Sequence, residues 1–137
     1  MSRQTNVIFD QMLEPYIEAV LSQKAINPVL LDVREKSTVT NAIFICSGKS
    51  SRQVLALTEA IRRHLRKNYK IKPLGIEGEQ EGHWALMDYG DILIHVFYEP
   101  IREVYDIEGL WTDARKVVTP QLKEYVEQER ENRHETA

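Results

Sequence analysis

The sequence predicts a single α/β domain built on a mixed β-sheet flanked by helices, and three observations point to it. Segments with apolar residues at helical spacing alternate with short, β-branched apolar runs. The run AIFICS, residues 42–47, is apolar without a break up to Ser47, as in a central strand with helices packed above and below. A chain of 137 residues can bury one core without metals or disulfides, and no repeat, linker or low-complexity stretch divides it.

The elements follow in order. Phe9, Met12, Leu13, Tyr16, Ile17 and Val20 fall on one side at helical spacing, which predicts an opening amphipathic helix. Pro15 lacks an amide donor, so the regular helix should start near Glu14 with Pro15 in its first turn, and Asn27-Pro28 should close the segment. VLLDVRE, residues 29–35, reads as a strand, KSTVTN as a turn, and AIFICS as the second strand. Ser50 and Gln53 have capping-box spacing ahead of a helix whose Val54, Leu57, Ile61 and Leu65 form one stripe. Its opposite face carries Arg52, Glu59, Arg62, Arg63 and Arg66, and the late cations suit the negative end of a helix dipole.

KIKPLGIEGEQEG reads as a short edge strand and a Gly/Glu loop. HWALMDYGDILIHVF supplies two strands joined by a tight turn at Asp88-Tyr89-Gly90-Asp91. After Pro100, IREVYDIEGLW reads as a short helix or turn-rich segment, and Thr119-Pro120 caps a last helix. Beyond Val126 that helix has no apolar stripe. Residues 1–120 are therefore expected to form the α/β domain, and 121–137 a helical extension frayed at its end.

Composition narrows the function. A formal net charge of −3 argues against bare nucleic acid as the main partner, because phosphate binding needs an excess of Lys and Arg. The one cysteine, Cys46, lies inside an apolar run, which excludes an intrachain disulfide and fits a small core residue in a reducing compartment. The opening MSRQTNVIFDQML has neither the apolar block of a signal peptide nor the character of a transit segment, and no stretch has the apolar length of a membrane span; the cytoplasm is expected.

Several catalytic patterns fail on spacing. SGKSS, with Gly48, Lys49 and Ser50, resembles part of a P-loop, but the position that needs the first glycine holds Ile43. Asp88 and Asp91 are three apart across a glycine turn, whereas two carboxylates share a strand face only at a spacing of two, so they read as turn formers and not as metal ligands. His64, His83, His95 and His134 show no paired spacing and no cysteine companions. His95 alternates with Ile94 and Val96, which puts it on the other face of its strand as a structural or interface residue. The cationic helix face, continued by Lys67, Lys70 and Lys72, reads as a solvated surface, since it is a single stripe on an acidic domain.

What stands out is the density of large residues from Trp84 to Trp111, with Tyr89, Phe97, Tyr98 and Tyr105 between them and Arg102 and Glu108 among them. Trp, Tyr and Arg are the residues that anchor protein interfaces, although core packing would also use them. The stretches LLDVREKSTVTNAIFICSGKSSRQVLALTEAIRRHLRK and LGIEGEQEGHWALMDYGDILIHVFYEPIREVYDIEGLW, within residues 8–115, closely resemble the RsfS/Iojap family of ribosomal silencing factors. The most specific part of the match runs through Trp84, Asp88, Gly90, Asp91, His95 and Val96 to Arg102, Tyr105, Glu108 and Trp111.

The resemblance implies a nucleotidyltransferase-like fold without transferase activity, no cofactor and no metal. It implies a partner, ribosomal protein L-fourteen on the large ribosomal subunit, with ribosomal RNA at most a peripheral contact, and a homodimer when free. Docking there would block subunit association and repress translation when nutrients are short. Carried over by position, the partner-binding residues are Trp84, Asp88, Arg102, Tyr105, Ile107, Glu108, Leu110 and Trp111, as docking surface or its immediate support, with Glu77, Glu79 and Glu81 steering toward a basic surface. Two departures are Asn41, where relatives usually carry an acidic residue, and the extension from about Val118 to Ala137. Competing readings are a nucleotide-using transferase, from SGKSS and the Asp88/Asp91 pair, and a direct RNA binder through Arg62, Arg63 and Arg66.

Overall fold

A computed structural model describes the backbone of residues 3–136 and the side chains of residues 6–133. Helices α1 (Arg3–Met12) and α2 (Glu14–Leu21) lead into strands β1 (Ile26–Asp32) and β2 (Ala42–Gly48). Then come α3 (Ser51–Tyr69), β3 (Gly75–Glu77), β4 (Trp84–Asp88), β5 (Ile92–Tyr98), the short α4 (Glu99–Tyr105), a 3-10 turn (Ile107–Trp111), β6 (Arg115–Lys116) and α5 (Pro120–Thr136). The strands form one sheet in the order β3-β4-β5-β2-β1-β6. Strands β2 and β5 run parallel, and every other neighbouring pair is antiparallel, so the sheet is mixed as the sequence predicts.

All seven residues of β2 are buried, which is what its unbroken apolar run requires. On one face Phe44, Cys46, Met87, Ile94 and Val96 meet Ile17 and Val20 of α2 and the stripe Val54, Leu57, Ile61 and Leu65 of α3. On the other face a smaller cluster of Leu31, Val33, Ile43, Ile45 and Phe97 meets only Ile101, Ile107, Trp111 and their neighbours. The two faces are thus covered unequally. Among the described residues no helix is long and apolar enough to cross a membrane.

Several local expectations hold. Ser50 accepts from the Gln53 amide at 3.1 Å while Gln53 accepts from the Lys49 amide at 2.6 Å, a reciprocal cap displaced by one residue from the usual form. Asp88 Oδ1 accepts from the Gly90 amide at 2.8 Å, and Gly90 holds φ +82°, so the hairpin turn is built from that Asp and that Gly. Thr119 caps α5 by accepting from the Leu122 amide at 3.3 Å.

Other boundaries need correcting. The opening helix is two helices broken at Leu13, so Met12 turns out of the predicted stripe and is 63% exposed. Asn27-Pro28 does not close the segment before the sheet but lies inside β1. A bulge between Ile26 and Val29, with Asn27 at φ +49°, absorbs the missing proline donor. The first strand accordingly spans Ile26–Asp32 and not residues 29–35. Past Val126, where no apolar hold was expected, the Glu129 carboxylate accepts from the Asn27 amide at 2.9 Å and ties α5 to that bulge. The side chain of His134 and residue Ala137 lie outside the described residues.

Candidate docking face

Pleating places alternate residues of β4 and β5 on the thinly covered side of the sheet. Trp84 stands opposite Phe97, Leu86 opposite His95, and Asp88 opposite Leu93. Strand β3 adds Glu77 opposite Leu86, and β2 adds Ile43 beside Leu93. Helix α4 and the 3-10 turn cover only part of this surface. Ile101, Ile107 and Trp111 pack with Trp84 around Phe97, while Leu86 and Leu93 stay partly exposed and outside both core clusters.

At the centre is an aromatic group. The Trp84 ring lies 4.8 Å from Phe97, nearly stacked at 26°, and 4.8 Å from Tyr105, tilted at 48°. Its indole Nε1 donates to His95 Nδ1 at 3.0 Å, so the His95 proton resides on Nε2 and the ring is neutral. Burial alone pushes the His95 pKa down to about 4. Tyr105 is 56% exposed, and Val104 and Leu110 are more exposed still. Large apolar groups standing this far into water on one small lid have the character of contact surface and not of core.

The titration of His95 has a consequence for stability. The unfolded imidazole takes a proton below about 6.5, whereas the folded one resists until about 4. The unfolded state therefore binds more protons in that window, and stability is lost as pH falls through it. The expected loss is about 2 kcal/mol between pH 7 and pH 5. Urea midpoints across that range would show it, and His95→Gln should flatten the slope; equal slopes in the two proteins would refute the assignment.

The lid is fastened from beneath. Arg102 is 7% exposed, with Nε donating to Glu108 Oε1 at 2.8 Å and Nη1 donating to the Asn27 carbonyl at 2.8 Å and to Ser47 Oγ at 2.9 Å. It links the helix, the turn, the β1 bulge and the end of β2. Asp106, in the left-handed region at φ +44°, accepts from the Gly109 amide, and its carboxylate leaves no room for a side chain at Gly109.

The predicted residues fall into three places. Trp84, Tyr105, Ile107 and Trp111 come together, with Leu110 projecting from the same turn. Arg102 and Glu108 form the support beneath them, and Arg102 itself offers almost nothing to a partner. Asp88 sits at the far end of β4, about 13 Å along the strand from Trp84, with one carboxylate oxygen committed to the turn. Leu86 and Leu93 carry no chemistry that marks them in the sequence, although the two-residue alternation of WALMD and ILIHVFY aligns them with Trp84 and His95. Of the acidic residues, Glu77 borders this face, whereas Glu79 lines a concavity with Arg62, Arg66 and Lys72. At Asn41 the amide donates to Asp91 Oδ1 at 3.4 Å, a bond that an acidic residue there would replace with repulsion.

The remaining chemistry is structural. Cys46 is fully buried and its thiol is pushed up to about 12, which removes it as a nucleophile. His64 bonds Glu18 Oε1 at 3.0 Å, joining α2 to α3, and Tyr69 donates to the same carboxylate. Among the described residues no group of three or more His, Cys, Asp or Glu side chains is placed to hold a metal ion.

Comparison with known proteins adds an independent line. A family model described as "Ribosomal silencing factor during starvation" matches residues 8–137. The chain is 32% identical over 107 residues to "Ribosomal silencing factor RsfS" of Halalkalibacterium halodurans, covering 78% of this chain and 91% of that protein. It is 33% identical over 100 residues to the protein of the same name in Haemophilus influenzae, covering 73% and 97%. "Protein Iojap, chloroplastic" of Arabidopsis thaliana is 28% identical over 81 residues, 59% of this chain and 33% of that one. A crystal structure of a Chromobacterium violaceum protein aligns over 88% of this chain and 93% of its own with a TM-score of 0.69 at 29% identity.

Proposed function

The chain belongs to the ribosomal silencing factor family, and from that premise we propose that it is a non-enzymatic factor that docks on the large ribosomal subunit through ribosomal protein L-fourteen. The half-covered sheet face around Trp84 is the docking surface. Once docked, the domain occupies space that the small subunit needs, subunits fail to join, and translation falls under nutrient limitation without any bond being made or broken. The free protein is a cytoplasmic homodimer in this reading, and it uses no cofactor.

One observation supports it above the others: Trp84, Tyr105 and Leu110 lie on one lid and strand surface, with Tyr105 and Leu110 mostly exposed, in a chain that matches the family along residues 8–137. Stiff aromatic groups supply contact area at small entropic cost. A stable interface of this kind buries on the order of 1,000 Å² or more in total. Glu77 at its border suits a basic protein surface.

Sucrose-gradient profiles of mixed subunits test the reading directly. Added protein should co-sediment with large subunits and deplete joined ribosomes; unchanged profiles with no co-sedimentation would end it. Tyr105→Ala should weaken docking by about 2 kcal/mol while leaving the urea midpoint nearly unmoved, because the ring is mostly in water. A variant that docks as well as the parent would remove Tyr105 from the surface.

A further inference from the structure

The sheet's other side carries a feature that docking through Trp84 does not use. Helix α3 packs Val54, Leu57, Ile61 and Leu65 inward, which turns Arg62, Arg63, Arg66 and Lys67 outward along its second half, with Lys70 exposed at its C-cap. Lys72 extends the stripe past the helix end. Two adjoining concavities share Arg62 and Arg66: one is completed by Lys72, Ile76 and Glu79, the other by Glu59, Arg63 and Lys67. The charge is poorly compensated. Glu59 reaches Arg62 at 3.9 Å and Arg63 at 3.7 Å, both loose exposed pairs, and among the described residues Arg66, Lys67, Lys70 and Lys72 have no carboxylate at ion-pair distance.

We propose that this stripe is a second binding surface, specific for the phosphate backbone of an RNA helix. On a chain whose net charge is −3, six cations gathered on one surface against Glu18, Glu59 and Glu79 are a segregated positive field and not a general solubilising charge. The helix dipole accounts for Arg66 and Lys67 in the last turn of α3 but not for Arg62, Arg63 or Lys72. Guanidinium groups favour phosphate by their paired donors. The aromatic ring among the cations, Tyr69, is tied by its hydroxyl to Glu18 and lies beside His64, so the stripe offers no run of free rings for successive unpaired bases, and the ligand is a duplex backbone and not a single strand.

Position supports the same partner. The Lys72 concavity reaches Ile76 in β3, the edge strand next to β4, so the cationic surface and the Trp84 face meet at one sheet edge. This placement deepens the docking proposal and rests on it. A domain seated by the Trp84 face on a protein of the large subunit presents α3 beside that edge, where ribosomal RNA is the natural anion.

The test uses the whole protein alone, with fluorescence anisotropy of a short labelled RNA duplex over a salt series. The parent should bind with an affinity that falls steeply with salt, and Arg66→Gln/Lys67→Gln/Lys70→Gln should reduce the logarithmic salt slope by about 1 for each phosphate no longer neutralised, about 3 in all. These side chains are exposed, and circular dichroism confirms folding. Equal binding by parent and variant, or no binding by the parent, would overturn the proposal, as would tighter binding to phosphatidylserine vesicles or polyglutamate than to the duplex. Trp84→Ala should leave duplex binding intact. If the duplex binds while large subunits do not, the docking reading fails and the cationic surface stands; if large subunits bind while the duplex does not, the reverse holds.

Discussion

Trp84→Ala is expected to weaken docking on the large subunit by about 2–4 kcal/mol, roughly thirty- to nearly a thousand-fold in affinity. The indole touches Phe97, Tyr105 and His95 at once, so its removal both deletes contact area and releases the Tyr105 ring from its neighbour. It also leaves His95 Nδ1 without its donor. Because Trp84 is only half-buried, the domain should stay folded, with a loss of about 2 kcal/mol in urea unfolding. Trp84→Phe separates the contributions, since it keeps a ring but no indole N–H. Co-sedimentation of a folded Trp84→Ala protein at parental strength would show that docking uses another surface.

The second large effect is on the fold itself. Arg102→Ala should cost about 3–5 kcal/mol, because it leaves the Asn27 carbonyl, Ser47 Oγ and the Glu108 carboxylate without their shared donor. Arg102→Lys should recover little: a single ammonium cannot reach both Glu108 and the β1 bulge with fixed paired geometry. Chemical denaturation measures the loss, and hydrogen exchange at Ile107–Trp111 should rise before the sheet opens. A change within about 0.5 kcal/mol would mean that the network is incidental.

Arg102 also illustrates how residue type misleads about role. In the sequence it sits among aromatic residues and reads as an interface cation, yet its guanidinium points inward, to nearby Glu108 and to Asn27 and Ser47, which are distant in the chain. Nothing local announces Asn27 or Ser47 as its partners. The same limit applies to Glu129, which reads as a solvent residue on a polar helix but reaches the Asn27 amide across 102 positions. Local chemistry was easier to read: the Ser50/Gln53 cap and the Asp88-Gly90 turn depend on neighbours a few residues away. Strand β6, two residues long, has no period to read and forms only because β1 offers a free edge.

The α/β class, the buried central strand, the cap and hairpin chemistry, and the family to which the chain belongs are all legible in the sequence, because each is written in short-range spacing or in extended residue identity. Tertiary structure alone decided which large residues face water. Covering one sheet face with α2 and the long α3, and the other with a seven-residue helix and a turn, leaves Tyr105 and Leu110 exposed, Trp84 partly buried and Arg102 sealed in. That division depends on how elements pack across the sheet, a long-range property that no local pattern carries.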